Sequence, residues 1–279
     1  MRKRSRFTFQ QTARADLTVL VLAGRRGPNE PLAQAAGCSH KALVPIRGIP
    51  MLSWVLRSLQ PLHGLRRFVV STDDPSSLDA ITELRTLAEA GLLQFAPVGD
   101  SPSASALGYV RQLSAGDLLL VTTADHPLLT TEMLEYFCHA ARTSDADVIV
   151  GVMAESRFRT AYPDSKRSFI PFRDERFCGT NLFALRAGPG AESAAAFWHH
   201  SGQFRKRPWR LLSTFGLWNF VWLVLRRLDA EAARQRAERV IGARIAVVRM
   251  PFAECAIDVD NPADLALVTR IIDRRETPD

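Results

Sequence analysis

The segment Ala23-Gly24-Arg25-Arg26-Gly27 sets two guanidinium groups between glycines, directly after the apolar run Leu17–Leu22. Glycines at the end of a strand let the backbone approach a ligand closely, and its N–H groups can point at an anion. Lys41 follows a polar gap and adds another cation. Together these residues suit a phosphate-binding turn. A carboxylate stands in a comparable place further on, where the apolar run Leu118–Val121 leads through Thr122-Thr123-Ala124 to Asp125. Mg²⁺ takes oxygen ligands, commonly one or two carboxylates plus phosphate oxygens. Asp125 is therefore the first expected metal ligand, or else a cap for the helix that begins after Pro127. His126 beside it suits solvent, a phosphate or the core equally.

Elements that could position these groups alternate along the first half of the chain. Strands are expected at Leu17–Leu22, Arg67–Ser71, Leu93–Pro97, Asp117–Thr122 and Asp147–Val152. Helices are expected at Met51–Leu59, Ser77–Ala90, Ser103–Leu113 and Thr131–Ala141, with 28–40 as a loop. Strands separated by crossover-length helices argue an α/β fold, a mostly parallel sheet covered on both faces. Right-handed crossovers then gather the loops at the carboxyl ends of the strands along one edge. After residue 152 the rhythm changes. Met153–Gly179 shows no repeat, Thr180–Leu185 reads as a strand, Ala191–Leu228 as an aromatic helix and Asp229–Ile241 as a charged helix ended by Gly242. A strand at Arg244–Met250 and a helix at Asn261–Arg274 close the chain. The simplest organisation is a loose basic arm over 1–16 and one domain over 17–279, with 153–242 as an insertion.

At 279 residues the chain can bury a large core. Its 47% hydrophobic and 23% charged residues are those of a folded soluble protein. A net charge of +7 favours anionic partners without choosing among them. The basic residues are scattered and no nucleic-acid motif appears, so nucleic acid is not an expected partner. Cys38, Cys138, Cys178 and Cys255 are far apart and form no metal or disulfide signature, and no apolar stretch follows the basic start. A cytoplasmic location is the expectation.

The phrase L-A-G-R-R-G, followed by K-A-L-V-P-I-R-G-I-P-M-L, resembles the signature of the molybdenum-cofactor-guanylyltransferase-like nucleotidyltransferases. That family implies a Rossmann-like three-layer sandwich of the glycosyltransferase-A type. It also implies transfer of a nucleoside monophosphate from an NTP to a phosphorylated acceptor, with release of pyrophosphate. On that resemblance Leu22, Ala23, Gly24, Arg25 and Gly27 hold the nucleotide, Arg25 and Arg26 grip the β- and γ-phosphates, and Lys41 neutralises charge at the α-phosphate. The D-H-P-L-L phrase at Asp125 resembles the family's metal-binding segment. I-D-V-D-N-P-A-D-L resembles its closing motif, in which Asp258 completes the Mg²⁺ site and Asp260 shares its face if the segment is extended. Ser103 and Ser105 lie where the family meets the nucleoside, although Ser101 or Ser103 reads equally as a helix cap.

Acceptor-side segments of the same group look similar to 162–167 and 179–183, which implies that the 153–242 insertion is on the acceptor side, that Lys166 and Arg167 clamp an acceptor phosphate and that Asn181 binds its hydroxyls. The alternative for the charged pair is a solvated loop. The stretch 204–228 is apolar and rich in Trp with basic flanks, but its apolar part is shorter than the roughly 20 residues of a bilayer span. It suits peripheral contact with a membrane interface or a pocket for a lipid-like acceptor, or a buried helix or subunit contact. The alternative activity is transfer from a nucleotide-sugar donor; the triphosphate-type loop at the first strand speaks against it.

Overall fold

The computed structural model describes residues 16–25, 30–165, 167–201 and 229–276. Most of the basic arm, Arg26, Gly27, Lys166 and the aromatic stretch 204–228 therefore lie outside the described residues. Alternation within the apolar runs sets the layers. In β1 (Leu17–Leu22), Val19 and Val21 pack on one face of the sheet and Leu20 on the other, all fully buried. Successive side chains of a strand point to opposite faces, so such a run needs cover on both. In β6 (Leu118–Thr123) the pattern repeats, with Leu118 and Leu120 on the first face and Leu119 and Val121 on the second.

From β1 the chain continues through α1 (Pro31–Ala35), β2 (Pro45–Ile46), β3 (Ile49–Pro50), α2 (Met51–Leu59), β4 (Leu65–Ser71), α3 (Thr82–Glu89), β5 (Leu93–Ala96) and α4 (Pro102–Val110) to β6. Then come α5 (Thr131–Thr143), β7 (Val148–Ala154), α6 (Glu155–Ala161), β8 (Ile170–Pro171), β9 (Arg176–Arg186) and α7 (Pro189–Ser201). The described chain closes with α8 (Ala230–Ile241), β10 (Ile245–Arg249) and α9 (Pro262–Glu276). The sheet runs β10-β7-β9-β6-β1-β4-β5, with β8 paired to β9. β1 is parallel to β4 and β6, β4 to β5, and β10 to β7, whereas β9 is antiparallel to both β6 and β7. Leu52, Val55, Leu56 and Leu59 of α2 cover one face together with Phe137 of α5 and Val268 of α9. Tyr109 and Val110 of α4 and Ala191 of α7 cover the other. The result is the expected three-layer α/β sandwich with a mostly parallel sheet.

The strand order builds a site. The chain steps outward from β1 to β4 and β5, then returns to the opposite side of β1 as β6. Loops diverge at such a reversal and leave a crevice beyond the carboxyl ends of the strands. Leu22, Ser71 and Thr123 end their strands in register there.

Several local expectations change. The stretch 28–40 holds the short helix α1, and a 3₁₀ turn follows at Lys41–Leu43; His40 caps it by accepting a hydrogen bond from the Ala42 N–H at 3.0 Å. The helix expected at 77–90 divides into a 3₁₀ turn at Pro75–Leu78 and α3. Asp74, not an apolar repeat, organises the first part by accepting from Ser77 N. The supposed irregular region after 152 contains α6, anchored by the fully buried Phe158. Within 153–242, expected on the acceptor side, β9 runs through the middle of the main sheet and α7 packs with α4 on its second face.

Candidate active site

Each element that ends at this edge contributes one side chain or one bare stretch of backbone. Beyond β1, Ala23 N donates to Ser71 O at 2.8 Å and continues the sheet pairing into the loop. Gly24 comes next, and a Cβ there would lie 2.8 Å from Val98 Cγ2. That distance is below normal carbon contact, so the loop after β5 packs closely because position 24 has no side chain. Both loops line a cavity of about 360 Å³, shared with Leu22, Lys41, Ser105 and Asp125. Of the two serines expected near a nucleoside, Ser105 lines the cavity and its hydroxyl accepts from Gly99 N at 2.9 Å. Ser103 is buried against Ser101 and is not among the lining residues; Ser101 caps α4 by accepting from Ala104 N.

Arg25 is oriented by a residue that the sequence reasoning did not single out. Asp73, just beyond β4, accepts from Arg25 N at 3.1 Å and forms an ion pair with its guanidinium. The Arg25 hydrogen bond and charge hold the Asp73 carboxyl below the ordinary range even though burial acts in the other direction. His40 Nε2 lies 3.9 Å from the same carboxylate. Burial keeps His40 below the usual histidine range, and nearby carboxylates oppose it only in part. The rule that found Asp125, a carboxylate at the carboxyl end of a buried strand, also fits Asp73 in F-V-V-S-T-D-D and could have found it.

Lys41 stands at the centre. Its Nζ donates to Asp125 Oδ2 at 2.6 Å and to Asp260 Oδ1 at 2.8 Å. Burial alone would lower this ammonium's pKa, but the two carboxylates more than offset that and raise it. Asp125 is 8% exposed. Burial pushes its carboxyl up, while the adjacent His126, the Lys41 ammonium and the Thr123 hydroxyl, 2.5 Å from Oδ1, together outweigh this and hold it below the usual range. The chain ends of β6 and the closing motif are tied together where Val259 N donates to Asp125 O at 3.0 Å.

A second cleft, of about 440 Å³, adjoins the first and is lined by Arg167, Asn181, Asp258 and Asp260 among others. Arg167 Nη1 donates to Asp258 Oδ1 at 2.7 Å, and its other donors reach Gly179 O and Cys178 Sγ. Burial raises the Asp258 carboxyl, but the nearby His126 and the Arg167 guanidinium lower it by more, and the group stays below its usual range. Asn181 Nδ2 lies 2.8 Å from His126 Nε2 and 3.5 Å from Asp258 Oδ2. The structure thus gathers Arg25, Lys41, Asp125, Arg167, Asn181 and Asp258 at one edge. Asp260 lines the second cleft with Asp258 and also accepts from Lys41. Among the described residues no group of three or more His, Cys, Asp or Glu side chains is arranged to hold a metal on its own. Two ionised oxygen donors from distant parts of the chain are present instead. That set fits a hard divalent cation whose remaining ligands come from phosphate and water.

The crevice lies at the switch point of a Rossmann-like α/β sheet and is walled by a glycine loop, cations and carboxylates, and the family match that follows makes the protein a nucleotidyltransferase. The MobA-like NTP transferase domain matches residues 19–246, and the chain belongs to that family. A molybdenum cofactor guanylyltransferase of Cupriavidus metallidurans is 28% identical over 197 residues, which span 68% of this chain and 79% of that protein. A structure described as a hypothetical transferase of Thermus thermophilus superposes with a TM-score of 0.73 at 26% identity, over 90% of this chain and 99% of that one. The fold is also that of a CMP:2-keto-3-deoxy-manno-octonic acid synthetase solved with CTP. There the TM-score is 0.58 at 16% identity, over 94% of this chain and 100% of the other.

Proposed function

We propose that the protein transfers a nucleoside monophosphate from an NTP to a phosphorylated acceptor and releases pyrophosphate, with Mg²⁺ held by Asp125 and Asp258. The observation that carries this reading is the position of Lys41 Nζ, bonded to carboxylates of both β6 and the closing motif where the two clefts meet. Arg25 and the backbone after β1 receive the β- and γ-phosphates in the first cleft. Arg26 and Gly27, on sequence grounds, extend the same loop. Lys41 lies beside the α-phosphate, and the acceptor occupies the second cleft, its phosphate drawn by Arg167 and, on sequence grounds, by Lys166.

In the reaction an acceptor phosphate oxygen attacks the α-phosphorus and forms a new P–O bond. The α–β bridging bond breaks, and pyrophosphate leaves with its electron pair. The acceptor phosphate is ionised near neutral pH, so no dedicated base is required. Positioning and charge neutralisation carry such chemistry. The chemistry that Mg²⁺ supplies when bound is neutralisation of charge on the phosphates. Lys41, mostly buried beside Asp125, and Arg167, mostly buried beside Asp258, act on the phosphates with less screening than surface cations would. The lipid-like character of an acceptor is supported by the sequence of 204–228. No helix among the described residues is long and apolar enough to cross a membrane.

The test is a pyrophosphate-release screen of the four NTPs with Mg²⁺ against sugar phosphates, polyol phosphates and long-chain alcohol phosphates. Release that requires one NTP and one phosphorylated class is the expected result. Turnover of a nucleotide sugar without pyrophosphate release refutes the reading.

A further inference from the structure

His126 is 0% exposed, next in sequence to Asp125, and donates to or accepts from nothing through Nδ1 among the described residues. Its Nε2 meets Asn181 Nδ2 at 2.8 Å. Asn181 sits in a distortion of β9. Val150 pairs with Phe183 and Val152 with Gly179, so β7 advances two residues while β9 advances four. The extra residues form a bulge, and Asn181 at its apex has φ 50°, in the left-handed region. Bulges of this kind re-aim a side chain, and Asn tolerates that conformation better than most residues. Opposite the apex stands Gly151; a Cβ there would collide with Thr180 Oγ1 and lie 3.2 Å from Leu182 Cβ. The bulge therefore fits only because β7 carries glycine at that point.

We infer that His126 is a positioning residue: through Asn181, which the β9 bulge turns inward, it orients the Asp258 carboxylate for the transfer site. The amide NH₂ has two hydrogens. One points to His126 Nε2, and the other to Asp258 Oδ2 at 3.5 Å. Because the amide nitrogen only donates, His126 must accept, and its proton sits on Nδ1. Arg167 takes Oδ1 of the same carboxylate, so Asp258 is held on both oxygens. An imidazole fits better here than an amide or hydroxyl because it is rigid, fills its volume and presents one acceptor at fixed distance. The inference rests on the proposed role of Asp258 in the transfer site.

The test compares His126→Leu, His126→Gln, Asn181→Gly and the double variant of His126→Leu with Asn181→Gly, with fold checked by thermal unfolding. Gln places an oxygen acceptor near the position of Nε2, and Gly accepts the φ of residue 181. Mn²⁺ binding in the presence of NTP, read by electron paramagnetic resonance, and the split between kcat and KM are the measurements. Residues that orient a metal-site carboxylate alter affinity or activity by about 10–100-fold. His126→Leu and Asn181→Gly should each weaken Mn²⁺ binding and kcat by roughly tenfold, with KM for NTP unchanged. The double variant should be no worse than either, and His126→Gln should recover most of the loss. Nitrogen-15 NMR of labelled histidine should show Nε2 unprotonated. Multiplying effects in the double variant, or wild-type Mn²⁺ affinity and kcat in His126→Leu, overturn the inference. Absence of pyrophosphate release with the Mn²⁺ pattern intact removes the proposed reaction and leaves the positioning role.

Discussion

Lys41→Met offers the sharpest test of the site because its effects on stability and on chemistry separate. The substitution keeps the side-chain stem and removes the ammonium. In the pair with Asp125 the Lys41 side chain is 14% exposed and the carboxylate side chain 11%. Breaking a buried pair by removing one partner costs about 3–5 kcal/mol, because the other charge is left uncompensated. Two features favour the lower end. Thr123 still donates to Asp125, and the adjoining cavity admits water. The bond to Asp260, whose side chain is 44% exposed, adds little. A loss of about 3 kcal/mol lowers Tm by roughly 6–12 °C in a protein of this size.

The pH dependence then discriminates. In the wild type, Asp125 is held below its ordinary pKa, so its stabilisation is present above the unfolded carboxylate value and disappears as pH falls through the folded one. Without Lys41, burial is opposed only by the adjacent His126 and the Thr123 hydroxyl, and the folded pKa rises. The variant then takes up its proton at a higher pH than the wild type, so its deficit shrinks as pH falls. Urea unfolding between pH 8 and about 5 should show the gap between wild type and variant narrowing. The double variant of Lys41→Met with Asp125→Asn, which has no charge to leave unpaired, should recover about 2 kcal/mol at neutral pH. Its transfer activity should stay at least about 100-fold below wild type. A stability loss under about 0.5 kcal/mol that is constant with pH would refute the reasoning.

Three further outcomes follow from neighbouring contacts. Asp73→Asn removes the carboxylate that holds Arg25, so the cavity becomes more positive; KM for NTP should fall and become more sensitive to salt, as initial rates at two ionic strengths will show. Gly151→Val forces a side chain against the β9 bulge and should cost about 1–3 kcal/mol by urea unfolding, with a larger loss of kcat than of nucleotide binding. Burial holds the folded pKa of His40 below the usual histidine value of about 6.5, so its neutral burial stabilises above that pH and the benefit is lost as pH falls below it. His40→Asn, which keeps an acceptor for Ala42 N, should flatten that part of the stability curve between about pH 6.5 and 5.

The sequence by itself determined the layers and the nucleotide edge. Apolar runs such as Leu17–Leu22 and Leu118–Val121 can only be buried on both faces, and Gly24, Arg25 and Asp125 follow them at strand ends, where short spacing limits where they can go. α2 was legible to the residue because Leu52, Val55, Leu56 and Leu59 repeat at helical period and all reach the core. Short-range signals failed where the determinant lay far along the chain. β9 looks like any short strand, and nothing local says that it runs antiparallel through the centre of the sheet; pairing with β6 and β7 decides it. Ser103 carries the same hydroxyl as Ser105, and only the rotation of α4 sends one inward and the other to the cavity. Tertiary structure alone set which carboxylate meets which cation. Lys41 lies 84 residues from Asp125 and 219 from Asp260, and Arg167 lies 91 from Asp258. Charge type can be read from a sequence, but the energy of an ion pair depends on distance and on exclusion of water, and both exist only after the sheet edge has assembled.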